Sequence, residues 1–426
     1  MTSGALATRV LAPVVPLALA LALAAAGCGG DSSAGPATRP VPGCEKLDAT
    51  PCDVRAASCQ TRLFALATCL RSDVQGPLPP VTVVTEADYA ALEAAASAAS
   101  PPQPHVATWD WALSALRLIQ PGALTPAAQT AEMVKKVLGQ YRNNTKDILV
   151  IDHGDNFNAT TASIVLVHEF VHALQFREME LTPLLGLYAD ASGDTRLAIR
   201  GMIEGEARMQ ETRYSASALG LDPTAIDWTR RFENAVTRDE AAVLKSPSPL
   251  TTSDFAFPYE WGARYIYFSW MATGMAGVHA LFSTPPTTTR VLMASTDRTL
   301  APEATPAPPP LPVPPVSWTM ADADTLGAWG LFLALEKSGT LATATELHSL
   351  ALQWQTDRVA IYEQSAPPAT AVVWRIGMPD EPTAARVLQL LTVALPTINL
   401  QQQGASVLAA SATDGQPVDW AFGPAP

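Results

Sequence analysis

An α+β fold, predominantly α-helical, is what the chain predicts, on three observations. Much of it reads at helical spacing, in segments opened by capping signals such as Thr125-Pro126 and ended by Pro or Gly. Only a few short runs, 81–84, 148–151 and 371–376, have the β-branched composition of strands. The second of these runs precedes the helix around which the rest of the chain is organised, which contains His168-Glu169-Phe170-Val171-His172.

Taken in order, residues 1–27 read as a lipoprotein signal peptide. Arg9 is followed by an Ala/Leu-rich run that ends in Ala25-Ala26-Gly27-Cys28. An ordinary secretory signal or a short anchor is the alternative, but small residues directly before a Cys favour lipid attachment at Cys28. Residues 28–43 are Gly/Pro/Ser/Thr-rich and read as a flexible tether. Gly29 directly after the cysteine points towards the outer membrane of a bacterial cell envelope. Cys44, Cys52, Cys59 and Cys69 remain. An even number clustered in an exported chain implies two disulfides, with three pairings open. A Cys₄ metal site is disfavoured by the absence of C-x-x-C. With a helix over 54–70, residues 44–72 read as a disulfide-stapled helical module.

The main domain is expected over 77–426. A strand at 81–84 leads into a helix capped by Thr85-x-x-Asp88 and running to about residue 100. Helices follow at 109–119 and 127–138, then a turn at 139–145 and the strand at 148–151. Later segments read as a helix over 195–214, an aromatic-rich helix over 262–275, a Pro/Ala loop at 302–315, and helices over 323–336 and 343–351. A turn at 354–358, the strand at 371–376 and a helix over 382–395 complete the reading.

Composition sets limits on function. The net charge is −13, or −14 once Arg9 leaves with the signal, and no basic run is present, which is a poor basis for binding nucleic acid. Past the signal, no run of eighteen apolar residues suggests a membrane span. At 48% hydrophobic residues, a chain of this length can bury a large core.

The chemistry is expected at the central helix. Residues four apart share a helix face, so His168 and His172 can direct both imidazoles at one ion. Glu169 lies about 100° round from His168, where it can hold a water and take its proton. Ile164, Val165, Val167, Phe170, Val171 and Leu174 supply an apolar back to bury the helix. Two imidazoles and an open position suit Zn²⁺, which requires one more protein ligand. Glu204 and Glu206 are candidates on the next helix, but two residues apart they cannot both reach the ion. Glu178, Glu180, Asp190 and Asp194 lie in a turn-rich segment and read as solvated surface.

H-E-x-x-H followed by Glu204-Gly205-x-Ala207 resembles the gluzincin group of zinc metallopeptidases, which implies a zincin-like core with Glu204 as third ligand. The chain is similar in pieces to a family of uncharacterised bacterial exported proteins with such a core. The shared pieces include Gly139-x-Tyr141, His172-Ala173-Leu174-Gln175, Phe257-Pro258-Tyr259-x-x-Gly262, Asp324-Thr325-Leu326-Gly327 and Trp354-x-x-Asp357-Arg358. Phe176-Arg177 and Arg290-Val291-Leu292-Met293 depart from that pattern without touching the ligands. The resemblance implies a zinc-dependent hydrolase acting on a peptide or protein. The rival expectation is an inactive envelope protein that keeps the scaffold for binding. Tyr259 is a candidate donor to the tetrahedral oxyanion, although the aromatics at 257–270 mostly read as core.

Overall fold

The computed structural model describes residues 39, 41–73, 76–100, 104–178, 184, 188, 191–294, 306–415 and 418–422. The expected signal peptide, Cys28 and most of the tether lie outside them, as do Glu180 and Asp190. Among the described residues no helix is long and apolar enough to cross a membrane.

The first sheet has three strands: β1 (Val81–Thr85), β2 (Gly139–Arg142) and β3 (Asp147–Asp152). Their order is β1-β3-β2, with β1 parallel and β2 antiparallel to the central β3. The segment read as a turn from Gly139 is therefore an edge strand, because Gly139 to Arg142 pair with Val150 to Asp147. Four residues are too few for alternation to declare a strand without its partner. The helix α1 (Ala57–Arg71) precedes this sheet, and α2 (Glu86–Ala99) begins where Thr85 caps it by accepting from Asp88 N. The helices α3 (Val106–Ala115) and α4 (Pro126–Lys136) fill the connection to β2.

After β3 comes α5 (Ala159–Glu178), started by Asn158, whose Oδ1 accepts from Thr161 N at 3.0 Å. Ser192 caps α6 (Gly193–Ala218) in the same way. The next helices are α7 (Trp228–Lys245), α8 (Pro249–Ser253), α9 (Phe257–Leu281) and α10 (Thr289–Ala294). The helices α6 and α9 cross at a glycine contact. A Cβ on Gly205 would lie 2.2 Å from the Gly262 carbonyl carbon, and one on Gly262 would lie 2.0 Å from Gly201 O. The glycine of the E-G-x-A motif thus serves helix packing, and its neighbour Glu204 serves the site.

The second sheet is antiparallel, in the order β4-β5-β6-β8-β7. It comprises β4 (Trp318–Asp324), β5 (Thr356–Ser365), β6 (Pro368–Gly377), β7 (Asn399–Gln403) and β8 (Ser406–Ala412), with α11 (Gly327–Leu335), α12 (Ala344–Leu352) and α13 (Glu381–Ala394) against it. Two expectations are corrected here. Ala323 and Asp324 belong to β4 and not to a helix, and the supposed turn at 354–358 runs into β5. Asp357 explains both corrections. It is fully buried and accepts from Leu326 N, Gly327 N, Trp354 Nε1 and Trp374 Nε1 at 2.8–3.0 Å, so it caps α11 from the sheet.

The disulfides are Cys44–Cys69 and Cys52–Cys59, which fits an oxidising compartment outside the cytoplasm. The stapled segment shares one hydrophobic core with α5: Leu63, Phe64 and Ala67 pack with Val167, Phe170 and Val171, and the rings of Phe64 and Phe170 meet edge to face at 5.1 Å.

Candidate metal centre

The helix α5 is apolar because it is buried on nearly every side, which also buries what it carries. His168 and Glu169 are inaccessible and His172 is 1% exposed. On the facing helix Glu204 is equally inaccessible. The structure brings His168, His172 and Glu204 together: Nε2 to Nε2 is 3.0 Å, His172 Nε2 to Glu204 Oε2 is 3.2 Å, and His168 Nε2 to Glu204 Oε2 is 3.4 Å. These three side chains form a group that could hold a metal ion.

The outer nitrogens of both rings are engaged. His168 Nδ1 lies 3.0 Å from Glu211 Oε2, and His172 Nδ1 lies 2.8 Å from Gln175 Oε1. With Nδ1 donating, both Nε2 atoms face the centre, where a bound metal would take the place of the proton on His168. Each partner is held in turn. Arg208 binds Glu211 and also Glu260, at 2.8 Å. Gln175 Nε2 donates to Glu206 Oε2 at 2.8 Å, and Arg71 Nε donates to Glu206 Oε1 at 2.8 Å. Arg71 is the last residue of α1, so a relay of buried hydrogen bonds joins the stapled segment to the ring of His172. The two carboxylates that two-residue spacing separates therefore have distinct tasks, with Glu204 at the centre and Glu206 behind it.

The electrostatics of the group call for positive charge at its middle. Burial opposes a charged imidazole at His168, but Glu204 and Glu211 outweigh it and raise the pKa to about 10. Burial likewise opposes a charged Glu204, yet the two histidines and Arg200 hold it well below the ordinary carboxylate range. Neither Glu204 oxygen has a hydrogen-bond partner among the described residues. A buried carboxylate left in that state is costly unless a cation completes it.

Glu169 is buried on the same helix between the two histidines. Oε2 accepts from Tyr141 N of β2 at 2.7 Å, while Oε1 is buried without a partner among the described residues. Burial raises its pKa to about 7, against the pull of the two histidines. Gly139 makes room for it, since a Cβ there would stand 2.8 Å from Oε1. Tyr259 is buried at the start of α9, its ring 6.0 Å from that of His168 and its hydroxyl without a hydrogen-bond partner among the described residues. Burial, reinforced by Glu204, holds its proton well above the ordinary phenol range.

Sequence reasoning missed Glu211, Gln175, Arg71 and the support from β2. Glu211 stands seven residues, two turns, beyond Glu204, so helix periodicity was an available signal. Nothing local marked Arg71. Asp194 corrects another expectation: it is buried, not solvated, and accepts from Thr289 N at 3.1 Å.

No family model, curated protein or solved structure matches the chain.

Proposed function

We propose that the protein is a zinc-dependent peptidase of the bacterial envelope, lipid-anchored at Cys28. The observation that carries this reading is the triangle of His168 Nε2, His172 Nε2 and Glu204 Oε2, with sides of 3.0, 3.2 and 3.4 Å, beside the unpartnered Oε1 of Glu169. Donors about 2.0–2.1 Å from a tetrahedral zinc stand roughly 3.3 Å apart, so the triangle has the size such an ion requires. Two imidazoles and one carboxylate, with a fourth position for water, are a hydrolytic donor set.

When bound, zinc supplies a Lewis acid that polarises a carbonyl and makes water more acidic. Glu169 Oε1 takes the water's proton and later delivers it to the leaving amine. The hydrogen bond from Tyr141 N fixes the other oxygen and so sets where Oε1 points. Tyr259 retains its proton and donates from its hydroxyl to the carbonyl oxygen as negative charge grows there.

The test uses protein beginning at residue 29. Wild type is expected to hold about one zinc per chain and to cleave some members of a broad peptide mixture. Glu169→Gln should retain zinc and melting temperature while hydrolysis falls about a hundredfold or more. Full zinc with no peptide cleaved beyond what Glu169→Gln cleaves would leave a binding scaffold in place of the enzyme. Mass spectrometry of the membrane fraction checks the anchor, which requires a modified Cys28 at the N-terminus.

A further inference from the structure

Beside the centre lies a cavity of about 1100 Å³, walled by α2, α4, β2 and the N-terminal half of α6. Among the described residues four cationic side chains line it, and three are already engaged. Lys136 Nζ is 2.8 Å from Glu132, Arg142 Nε is 3.0 Å from Asp147, and Arg196 Nη2 is 3.2 Å from Asp324. The fourth is Arg200, one turn before Glu204 on α6. Its side chain is 15% exposed, and the groups that act on it are Tyr259 first, then Glu204, Tyr188 and Asp254. Its nearest carboxylate is Glu204, with Nε 3.9 Å from Oε1, and its Nη2 is buried without a partner. Asp254, which also lines the cavity, acts on it at longer range, without an ion pair.

A guanidinium offers five donors in a planar fork that matches a carboxylate in two parallel bonds. Burying Nη2 with its donors unused is costly. Among the described residues the cavity's charged side chains are Lys136, Arg142, Arg196 and Arg200 together with Glu93, Glu132 and Asp254. Resting on the peptidase reading, we propose that Arg200 binds the free C-terminal carboxylate of a peptide, so that the enzyme removes the last residue. Arg200 stands one turn from the ligand Glu204, with Nε 3.9 Å from Oε1, so a carboxylate held there lies next to the centre. That carboxylate is assigned to the residue adjoining the carbonyl under attack. Water adds to that carbonyl, the C–N bond breaks, and the proton passes through Glu169 to the departing amino acid.

The experiment compares N-acetylated dipeptides bearing a free carboxylate with the same peptides amidated. Binding is measured by calorimetry on zinc-loaded Glu169→Gln, and hydrolysis on wild type. The acids are expected to bind at least about tenfold more tightly, as a charge-assisted bidentate contact implies. Arg200→Gln should erase that preference in protein that still holds one zinc at saturating metal, and Arg200→Lys should keep part of it. Cleavage of acids and amides without distinction overturns the carboxylate site while the peptidase stands. Preferential binding of the acids with no cleavage keeps the site and removes the peptidase. An equal drop in kcat for acids and amides in Arg200→Gln, with KM unchanged, would make Arg200 an oxyanion donor and overturn the assignment. So would equal binding of amidated peptides that carry an acidic side chain next to the scissile bond, or no acid preference in either assay.

Discussion

Glu204 and Asp357 are both inaccessible carboxylates, one in each half of the molecule, and their surroundings are opposite. Asp357 accepts four hydrogen bonds from backbone and indole N–H groups and ties β5 to α11. Glu204 accepts none among the described residues and faces two imidazole nitrogens. A buried charge that the fold satisfies is part of the architecture, whereas one that it positions and leaves unsatisfied is placed for something the fold does not provide. The same contrast separates Arg71, bonded within the core, from Arg200, whose Nη2 is buried without a partner among the described residues.

The largest expected effects come from exchanging each carboxylate for its amide. Glu204→Gln should weaken zinc binding more than a hundredfold, beyond the usual range for changes outside the ligands, while the melting temperature of the metal-free protein moves little. Asp357→Asn should do the reverse. An amide cannot accept all four bonds, and the stranded donors should cost about 3 kcal/mol or more, with the zinc content of the folded fraction unchanged. Denaturant melts and metal competition on both variants check the pair, and the contrast fails if both lose stability alike.

A smaller effect is expected where the two kinds of buried charge meet. Arg71→Met breaks the relay to His172, so zinc affinity should fall about 10- to 100-fold along with some stability. The structure also changes what is expected of Glu206→Gln, which spacing alone marks as pointing away from the ion: it too should weaken zinc. If the effect travels through Gln175, then Arg71→Met should add little in a Gln175→Leu background, and full additivity in that double-mutant cycle would break the relay.

The smallest effect is a pH dependence. Burial raises Asp194 to about 7, so between the unfolded value near 4 and that pKa the folded state holds the proton the unfolded chain has released. Its contribution to stability is therefore greatest at acid pH and declines as pH rises to 7, by at most about 1.4 kcal/mol per unit. Asp194→Asn should remove this slope, gaining on wild type between pH 4.5 and 7.5. Melting curves that stay parallel across that range would show that Asp194 does not carry it.

Reading the sequence located the helix with His168, Glu169 and His172, its apolar back, and the cap at Thr85, because helical period and capping are set by neighbours within one or two turns. Spacing also established that Glu204 and Glu206 could not share one ion, and exported cysteines in even number implied two disulfides. Which pairs formed, which glutamate joined the histidines and where Gly139 to Arg142 went depended on residues distant along the chain. Most of the second sheet was not legible for the same reason: strands such as β7 and β8 acquire their identity from partners. Asp194 and Asp357 looked like ordinary turn residues until the tertiary structure buried them. Sequence alone determined which groups are able to bind a metal, since that is a property of side-chain chemistry and local spacing. Only the tertiary structure decided which buried charges are satisfied, because each donor that satisfies or fails to satisfy them comes from another part of the chain.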